Sequence, residues 1–399
     1  MNTPLRLLLI TNLFPNPVDL NRGIFVKQLV QELRLLCEVD VVCPLPWFPK
    51  FRPINALARW QQLSRIPNKY EVDGITVHSP KYVMLPLVSE PVHSILMFWG
   101  LVRYVRKLHQ EHSFDVINAQ WLYPDGVVSN WLAKLLKVPV VLTALGCDVN
   151  LFLNQPTKRL QILPALRRAN AITVVSKSLA DRLEAEGIPS SQIAIIPNGV
   201  NTELFFPCDR ATCSEQLEIP VEEKKILFVG RLDEEKGVEY LVAACRHMLT
   251  RRSDFHLYIV GDGPLRNGLE TRVVSEGLAK CVTFLGTRSH AEVASWLGSC
   301  DVFCLPSIRE GCPNVVVESL ACGRPVVASA VGGVPELINA ETGILVPPAD
   351  SNKLAKALHV ALDRNWNAQK VAESVSQSTW KKVATDYYSV LSSVLERRR

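Results

Sequence analysis

The sequence predicts an α/β protein built from two doubly wound domains, each with a mostly parallel sheet. Its 399 residues are too many for one ordinary core and suit two domains of roughly 200 residues each. Both halves alternate short, β-branched apolar runs with segments of helical apolar spacing. Because such alternation builds strand, helix and strand units, it favours parallel sheets that helices cover on both faces.

We place the two domains at residues 1–205 and 206–379. From residue 206 to about residue 221 the chain turns polar and contains proline, which is typical of a linker. The last helical pattern, 380–399, lies far along the chain from any predicted strand. We expect this helix to pack back on the first domain.

In the first domain the apolar runs predict strands at 5–11, 39–43, 116–118, 138–143, 171–176 and 193–197. Helical patterns are found in GIFVKQLVQELRLL, in DGVVSNWLAKLLK and at 178–186. Gly23 opens the first of these helices directly after a strand and a loop, where it would let backbone N–H groups approach a phosphate. A helix N-cap glycine without a ligand is an equally good interpretation.

In the second domain the predicted strands are ILFVG, FHLYIVG, VTFLG, DVFCLP and VVAS. The predicted helices between them are GVEYLVAACRHML, the end of GDGPLRNGLETRVVSEG, AEVASWLGSC and the run that follows Pro313. Ligands of doubly wound folds bind at the carboxyl ends of the strands. With two such domains facing each other, we expect the ligands in the cleft between them.

Composition excludes several classes of protein. A net charge of +5 does not argue for a nucleic-acid partner, and we expect none. The eleven cysteines are scattered without a C-x-x-C pair, which favours buried thiols in a reducing cytosol over disulfides or a zinc site. The N-terminal apolar run is too short for a signal peptide and predicts a strand. The apolar stretch 92–102 is shorter than the roughly 20 residues of a membrane span, so we expect a cytoplasmic protein that does not span the membrane.

Two segments combine basic and aromatic residues. Residues 41–70 contain no acidic residue and interleave cations with Trp47, Phe48, Phe51 and Trp60. A second basic patch of Arg103, Arg106 and Lys107 follows the apolar helix over 95–102. This mixture is typical of a protein that lies on an anionic bilayer, through 47–70 and 95–107. A solvated loop beside a core helix is the alternative, and the sequence does not decide between the two.

The stretch SIREGCPNVVVESLACGRPVVASA, residues 307–330, combines a strand end, a helix and a second strand. Pro313 suits the first turn of the helix, and Gly323 suits its end. Glu310 and Gly311 then lie in the loop that feeds the helix N-terminus, where free backbone N–H groups attract anions. Glu318 lies little more than one turn inside the helix. For either acid by itself, a solvated surface residue is the better interpretation. The flanking runs VFCLP and VVAS favour the functional one, because they predict buried parallel strands and so place the loop at the carboxyl end of a strand.

Two cations follow the strand ILFVG. Arg231 comes directly after Gly230, and Lys236 follows five residues later. At the carboxyl edge of the sheet they would suit a diphosphate, because arginine binds it in a bidentate manner and lysine adds a point charge. A pair of surface cations balanced by the acids at 233–235 is the alternative, and it is the better interpretation of these two residues taken alone. The turn GDGP, after the next strand, indicates only a close reversal of the backbone.

Short motifs spread over nearly the whole chain carry a family resemblance. They are VGRLDEEKG, IVGDGP, FLG, EGCPNVVVE, ACGRPVVAS, GGVPELI and GILVPP, together with RGIFVKQL, WLYPDG and TALGCDVN in the first half. In combination they resemble the retaining GT-B glycosyltransferases of family 4, of the bacterial polysaccharide and envelope type. The resemblance implies two facing Rossmann-like domains, with the acceptor bound by the first and the nucleotide sugar by the second.

The resemblance also implies residue roles. Arg231 and Lys236 would neutralise the donor diphosphate, and Glu310 would hold the donor sugar, so these three are the expected catalytic residues. Glu318 would accept hydrogen bonds from the ribose hydroxyls, and Gly23 would close over the phosphates. The full set of expected donor-binding residues is Gly23, Gly230, Arg288, Gly311, Cys312, Pro313, Asn314, Val315 and Glu318. The base would lie near residues 285–288.

The loop TALGCDVN departs from the family pattern. Relatives often have His or Arg before its glycine, whereas this chain has Leu145. Asp148 is present and is the residue expected to contact the sugar or the acceptor. The departure leaves that contact in question, while the phosphate-binding motifs match the family.

The reaction implied is transfer of a sugar from a nucleotide-diphosphate sugar, with UDP favoured over GDP, to a glycan or a lipid-linked oligosaccharide at the inner face of the membrane. Fixed cations and helix dipoles would stabilise the departing diphosphate. No Asp-rich metal motif is seen, so we expect neither a metal nor a cofactor. Retention of configuration would follow from attack on the same face, because the sequence offers no obvious nucleophile.

Other functions compete with this interpretation. Glu310 and Glu318 would be a hydrolase pair if their carboxylates lay roughly 5–10 Å apart. A sugar-nucleotide epimerase would use the same fold and diphosphate site but no acceptor. A non-catalytic sugar-nucleotide-binding protein is a third class. A nicotinamide dehydrogenase is disfavoured because no G-x-G-x-x-G follows a strand.

Overall fold

The computed structural model describes residues 4–47, 58–84 and 89–398. The chain divides into two compact units, of which the first comprises Met1–Pro197 and Trp380–Arg399 and the second Asn198–Thr379. The division therefore falls after residue 197, whereas the sequence placed it after residue 205. Residues 198–205 join the second unit because Phe205 is buried in its core and the Val200 N–H donates to the Ser378 carbonyl.

The first unit contains an eight-stranded sheet and a separate two-stranded one. Its strands are β1 (Arg6–Ile10), β2 (Glu38–Val42), β3 (Leu45–Trp47), β4 (Lys69–Val72), β5 (Ile75–His78), β6 (Lys81–Val83), β7 (Val116–Gln120), β8 (Val140–Ala144), β9 (Ala171–Val174) and β10 (Ile193–Ile195). The large sheet has the order β10-β9-β8-β7-β1-β2-β5-β4, and β3 pairs with β6. Among the described strands only β4 and β5 pair antiparallel, so the expectation of mostly parallel sheets is confirmed.

The helices of the first unit lie between its strands along the chain. They are α1 (Ile24–Leu33), α2 (Ala58–Arg65), α3 (His93–His112), α4 (Val127–Leu136), α5 (Cys147–Asn150), α6 (Pro156–Arg168) and α7 (Lys177–Ala185). In α1 the buried residues Val26, Leu29, Val30 and Leu33 recur at the helical spacing that the sequence indicated. The sequence analysis did not predict β3 to β6, α2, α5 or α6.

The second unit is a six-stranded sheet in which every pairing is parallel. Its strands are β11 (Lys224–Val229), β12 (Phe255–Val260), β13 (Val282–Gly286), β14 (Val302–Leu305), β15 (Val326–Ser329) and β16 (Gly343–Val346). Its helices are α8 (Arg210–Gln216), α9 (Val238–Leu249), α10 (Arg266–Ser275), α11 (His290–Ser299), α12 (Asn314–Ala321), α13 (Val334–Leu337), α14 (Ser351–Asp363) and α15 (Ala368–Glu373). The order β13-β12-β11-β14-β15-β16 brings β11 and β14 side by side at the centre of the sheet.

The final helix, α16 (Trp380–Glu396), belongs to the first unit. Its buried residues, among them Trp380, Tyr387 and Leu391, join a core cluster with Leu7 of β1 and Leu29 of α1. The chain thus crosses back to complete the core of the unit in which it began.

All eleven thiols are free, and eight of them are buried. No helix within the described ranges combines the length and the apolar character that crossing a membrane would require.

Candidate active site

The site lies where three neighbouring strands of the second unit end. The loop after β11 carries Arg231 and Lys236, the loop after β14 carries Glu310, and the loop after β15 carries Gly332. Since these strands are parallel and adjacent, their carboxyl ends meet at one edge of the sheet, which is where doubly wound folds bind ligands.

The loops after β11 and β14 are joined through their backbones. Gly237 has a left-handed conformation with φ of 62°, and a Cβ there would lie 2.3 Å from the carbonyl oxygen of Pro306. The Ile308 N–H donates to the Glu235 carbonyl at 2.8 Å. A glycine is required at residue 237 because this close approach leaves no space for a side chain.

This junction places Lys236 against Glu310. The Lys236 Nζ lies 2.6 Å from Glu310 Oε1, and the Ser307 hydroxyl donates to the same oxygen at 2.6 Å. The Glu310 side chain is only 7% exposed, compared with 27% for Lys236. The sequence analysis assigned the two residues to different parts of a ligand and did not foresee that they pair. An ammonium has three N–H donors, so the pair is compatible with donation from Lys236 to a phosphate.

The loop after β15 holds the other side of Glu310. Gly332 has φ of 54°, and a Cβ there would lie 2.1 Å from the Glu310 carbonyl oxygen. The Gly333 N–H donates to the Gly311 carbonyl at 2.8 Å. The backbone of residues 310–311 is therefore fixed from two sides before it enters α12.

The N-terminus of α12 differs slightly from the prediction. Pro313 is the N-cap with extended backbone angles, and the helix begins at Asn314, so the proline precedes the first turn instead of lying in it. The Asn314 Oδ1 accepts a hydrogen bond from the Asn198 side chain at 2.8 Å. At the other end, Gly323 has φ of 71° directly after the cap Cys322, as predicted for a helix stop. The first N–H groups of α12 and its dipole would attract an anion, and anion binding here stays a prediction.

Cys312 and Val315 flank this N-terminus. Both side chains are half-buried. Burial raises the pKa of the Cys312 thiol to about 12, so the thiol stays protonated at neutral pH. Cys312 is thus a neutral neighbour of the α12 N-terminus and not an activated nucleophile.

Glu318 contacts a histidine that the sequence analysis overlooked. His290 Nε2 lies 2.9 Å from Glu318 Oε1, and the imidazole packs edge-on against Phe205 with ring centroids 4.8 Å apart. The histidine is the first residue of α11, where Ser289 and Glu292 form a capping box. The available signal was its position two residues after Arg288, where the loop that follows β13 enters the helix.

The two expected arginines are more exposed than the other site residues. Arg231 has a side-chain exposure of 70%, and its Nε lies 3.3 Å from Asp233 Oδ2. Arg288 is 35% exposed, with Nε 3.7 Å from Glu292 Oε1. The contact between Arg231 and Asp233 agrees with the alternative interpretation of Arg231 as a cation balanced by a local acid.

Gly230 lies under the turn GDGP. Its N–H donates to the Val260 carbonyl at 3.0 Å, and a Cβ on Gly261 would lie 1.9 Å from the Gly230 oxygen. A Cβ on Gly263 would lie 2.3 Å from the Leu232 oxygen. The close backbone reversal that the sequence indicated is therefore present, and it packs the turn onto the loop that carries Arg231.

In the first unit, Asp148 lies just after β8. It is fully buried, and its carboxylate accepts hydrogen bonds from the backbone N–H groups of Leu122, Leu145, Gly146 and Val149 at 2.8–3.2 Å. Burial raises its pKa to about 6 although these bonds oppose the shift. Asp148 thus holds the loop after β8 in place, and its expected contact with a sugar or acceptor stays a prediction. Because only the backbone of Leu145 makes this contact, the departure at that residue leaves the loop intact.

Gly23 is the N-cap of α1 and adopts φ of 62°. A Cβ there would lie 2.3 Å from the Leu13 carbonyl oxygen, so close packing alone requires the glycine. This observation supports the helix-cap interpretation, and the part expected for Gly23 in phosphate binding stays a prediction.

The first unit has a cavity of ≈ 320 Å³ at the carboxyl ends of β1 and β2. This volume is at the lower end of the roughly 300–1,000 Å³ that small-molecule sites occupy. Its polar lining includes Asn12, Arg22, His93 and the Tyr82 side chain, and its apolar lining includes Leu45, Leu63 and Met84. The Tyr82 hydroxyl lies 2.8 Å from His93 Nε2. Burial lowers the pKa of His93 to about 4, so the imidazole is neutral at pH 7.

Asp125 lies next to this cavity. Its Oδ2 accepts a hydrogen bond from the Asn12 side chain at 2.7 Å, while its buried Oδ1 has no partner among the described residues. Burial raises the pKa of Asp125 to about 8, which keeps the group protonated at neutral pH. The sequence analysis quoted WLYPDG only as a family motif and did not single out this acid.

Similarity to known proteins extends over most of the chain. The sequence pattern of "Glycosyltransferase Family 4" matches residues 23–204, and that of "Glycosyl transferases group 1" matches residues 223–364. TuaC of Bacillus subtilis, which its name assigns to teichuronic acid biosynthesis, is 27% identical over 89% of this chain and 88% of its own. An uncharacterized glycosyltransferase of Methanocaldococcus jannaschii is 30% identical over 63% of this chain and 67% of its own.

Among solved structures, the Anabaena protein HepE in complex with UDP superposes with a TM-score of 0.73 at 21% identity, covering 98% of this chain and 100% of that one. This likeness confirms the predicted GT-B fold of two Rossmann-like α/β domains. With sequence patterns that together extend from residue 23 to residue 364, the chain belongs to glycosyltransferase family 4.

Proposed function

We propose that this glycosyltransferase moves a sugar, with retention of configuration and without a metal ion, from a UDP-sugar to a hydroxyl of a glycan or lipid-linked acceptor in bacterial polysaccharide synthesis. The observation that carries the proposal is the α12 N-terminus, fixed by Gly332 and Gly333, beside the Lys236 and Glu310 pair. The names of TuaC and of the UDP complex of HepE support the pathway and the nucleotide.

The departing diphosphate would need nearby positive charge to stabilise it. Cleavage of the anomeric C–O bond places negative charge on the departing diphosphate, which Lys236 and the first N–H groups of α12 would stabilise. Arg231, which is largely exposed, would swing from Asp233 to the phosphates when the donor binds. These groups would take the part that a divalent cation plays in other transferases.

The two acids would orient the donor. Glu310, held by Ser307 and Lys236, would accept hydrogen bonds from sugar hydroxyls, and Glu318 would accept those of the ribose. The acceptor hydroxyl would attack from the face that the diphosphate leaves, with a leaving phosphate oxygen taking its proton. No step in this scheme uses a protein nucleophile.

The cavity of the first unit is our candidate for the acceptor. Its lining is amphipathic, with Arg22 and Asn12 on the polar side and Leu45, Leu63 and Met84 on the other. An acceptor that joins a polar sugar or phosphate to an apolar chain would use both kinds of surface. Asp125, protonated at neutral pH, would support the polar side through its bond to Asn12.

An anionic membrane is the proposed surface for such an acceptor. On α3 the side chains of Ile95 and Trp99 are 46% and 69% exposed, and exposed Arg103, Arg106 and Lys107 follow toward its C-terminus. Helices with exposed apolar and basic residues of this kind bind the interface of anionic bilayers. Residues 48–57, including Phe48, Lys50, Phe51 and Arg52 of the expected basic segment, lie outside the described residues.

A donor screen tests the proposal. The protein is incubated with UDP-, GDP- and ADP-sugars, with and without a lipid extract that contains polyprenyl-linked oligosaccharides, and both nucleotide release and sugar transfer are measured. We expect UDP release that depends on the acceptor and persists in EDTA. A changed sugar without acceptor would indicate the epimerase, free sugar the hydrolase, and binding without turnover the non-catalytic protein.

A further inference from the structure

The contact between His290 and Glu318 joins the first turn of α11 to α12. His290 Nε2 lies 2.9 Å from Glu318 Oε1, and the two side chains are 24% and 13% exposed. An ionised carboxylate can only accept hydrogen bonds, so Nε2 must carry the proton in this pair. The histidine is the donor, whether its ring is neutral or charged.

The imidazole is itself restrained. It is the first residue of α11, whose N-terminus the Ser289 and Glu292 capping box fixes, with the Ser289 N–H donating to Glu292 at 2.8 Å. Its ring meets Phe205 edge-on at 4.8 Å, and Phe205 is 1% exposed. Backbone and ring are therefore both held, which makes the donor nitrogen a fixed point for the glutamate.

We infer that His290 is a positioning residue for donor binding: it holds Glu318 in the rotamer that accepts hydrogen bonds from the ribose hydroxyls of the nucleotide. This inference rests on the proposed function of Glu318. One carboxylate oxygen accepts a hydrogen bond from the imidazole N–H, and the second oxygen is then presented to the ribose. Without the histidine, the glutamate has to lose the freedom of its side-chain torsions when the nucleotide binds.

The competing explanation is a purely structural link between α11 and α12. The two explanations predict different effects of His290 on ligands with and without ribose hydroxyls. A positioning role makes the effect of His290 depend on the ribose hydroxyls, whereas a structural link weakens every ligand of the second unit alike. A ligand that lacks those hydroxyls therefore separates them.

The experiment measures binding of UDP and of 2′,3′-dideoxy-UDP by titration calorimetry to the wild-type chain, His290→Leu, His290→Gln and Glu318→Gln. We expect the wild type to prefer UDP by at least about tenfold, as for hydrogen bonds to a charged acceptor. In His290→Leu, UDP affinity should fall on the order of tenfold, because ordering a free glutamate side chain on binding costs conformational entropy of about that size. Affinity for the dideoxy ligand should stay at the wild-type value.

His290→Gln is the conservative variant, because an amide nitrogen can lie close to the position of Nε2 and donate the same bond. We expect it to keep most of the preference for UDP. His359→Leu, the same type of change at the α14 histidine 3.6 Å from Asp363, is the matched control and should bind like the wild type. In turnover assays His290→Leu should raise the donor KM with little change in kcat.

Two outcomes overturn the inference. Equal weakening of UDP and the dideoxy ligand in His290→Leu, or an unchanged preference for UDP, would assign the pair a structural role only. The failure of the proposed function looks different: a wild-type chain that binds no nucleoside diphosphate, or one that does not discriminate against the dideoxy ligand, removes the ribose contact itself. Thermal melts of all variants identify any change that merely unfolds the second unit.

Discussion

Replacing Lys236 with methionine should change both the stability of the fold, through the lost ion pair with Glu310, and turnover, through the lost charge beside the diphosphate. The Lys236 ammonium lies 2.6 Å from an oxygen of Glu310, and the Glu310 side chain is only 7% exposed. The substitution leaves that carboxylate without its cation, and losing a hydrogen bond to a charged, buried group costs about 1–3 kcal/mol. In the reaction the same ammonium would oppose the charge of the departing diphosphate.

The catalytic effect can be estimated from Coulomb's law. Two unit charges about 4 Å apart interact by about 4 kcal/mol at an effective dielectric constant of about 20. If that attraction develops mainly in the transition state, its loss lowers kcat by about a thousandfold, since about 1.4 kcal/mol corresponds to each factor of ten. Lys236→Met should therefore show a large fall in kcat and a modest fall in stability.

The double variant Lys236→Met/Glu310→Gln tells the two effects apart. Making residue 310 neutral removes the uncompensated carboxylate, so we expect urea unfolding to return toward the wild-type midpoint while turnover stays low. Lys353→Met is the control, because Lys353 is 60% exposed and its pairing with Asp350 at 3.5 Å is worth little. Wild-type turnover in Lys236→Met, or turnover that recovers together with stability in the double variant, would refute the reasoning.

Four further predictions concern Gly237, the two site glutamates, Asp125 and Trp99. Gly237→Ala should lower both stability and turnover, as measured by thermal melts and donor kinetics, because its Cβ would meet a carbonyl oxygen at 2.3 Å; wild-type behaviour would contradict the close approach. Glu318→Gln should mainly raise the donor KM, whereas Glu310→Gln should mainly lower kcat, and equal effects of both would contradict the division between ribose and sugar. Asp125 has a folded pKa of about 8, above its usual value, so its protonated form stabilises the fold at low pH and that stability declines as pH rises from about 4 through 8. The free energy of unfolding in urea, measured for Asp125→Asn and the wild type at pH 5 and pH 8, should therefore favour the variant more at pH 8 than at pH 5. A difference that is the same at both pH values would contradict the effect of burial. Trp99→Ser should reduce flotation with anionic liposomes but not with neutral ones, and identical flotation of wild type and variant with anionic liposomes would count against the proposed membrane surface.

Local signals in the sequence were sufficient for much of the second unit. β11, β12, β13 and β14 lie within a residue or two of their predicted positions, because a buried parallel strand is a short continuous apolar run whose ends are marked by glycine or proline. The strand-end loops with Arg231, Lys236 and Glu310 were found for the same reason. Weakly apolar elements such as β3, β6 and α6 lacked that signal and were not predicted.

The boundary between the two units depends on contacts between residues far apart in sequence, which no local pattern reveals. Residues 198–205 look like the end of the first domain in sequence, yet Phe205 is buried in the core of the second unit. Asp148 illustrates the same limit at the level of a side chain: the sequence shows an acid in a turn, and only the fold shows that four backbone N–H groups occupy it.

The sequence by itself determined the α/β class, the family and the stretch that forms the α12 N-terminus, since these depend on spacing along the chain and on glycine and proline at fixed positions. Only the tertiary structure decided that Lys236 pairs with Glu310 and that His290 contacts Glu318, residues 74 and 28 positions apart. Such pairs depend on which strands are neighbours in the sheet. The order β13-β12-β11-β14-β15 is set by packing of the whole domain, which no local segment encodes.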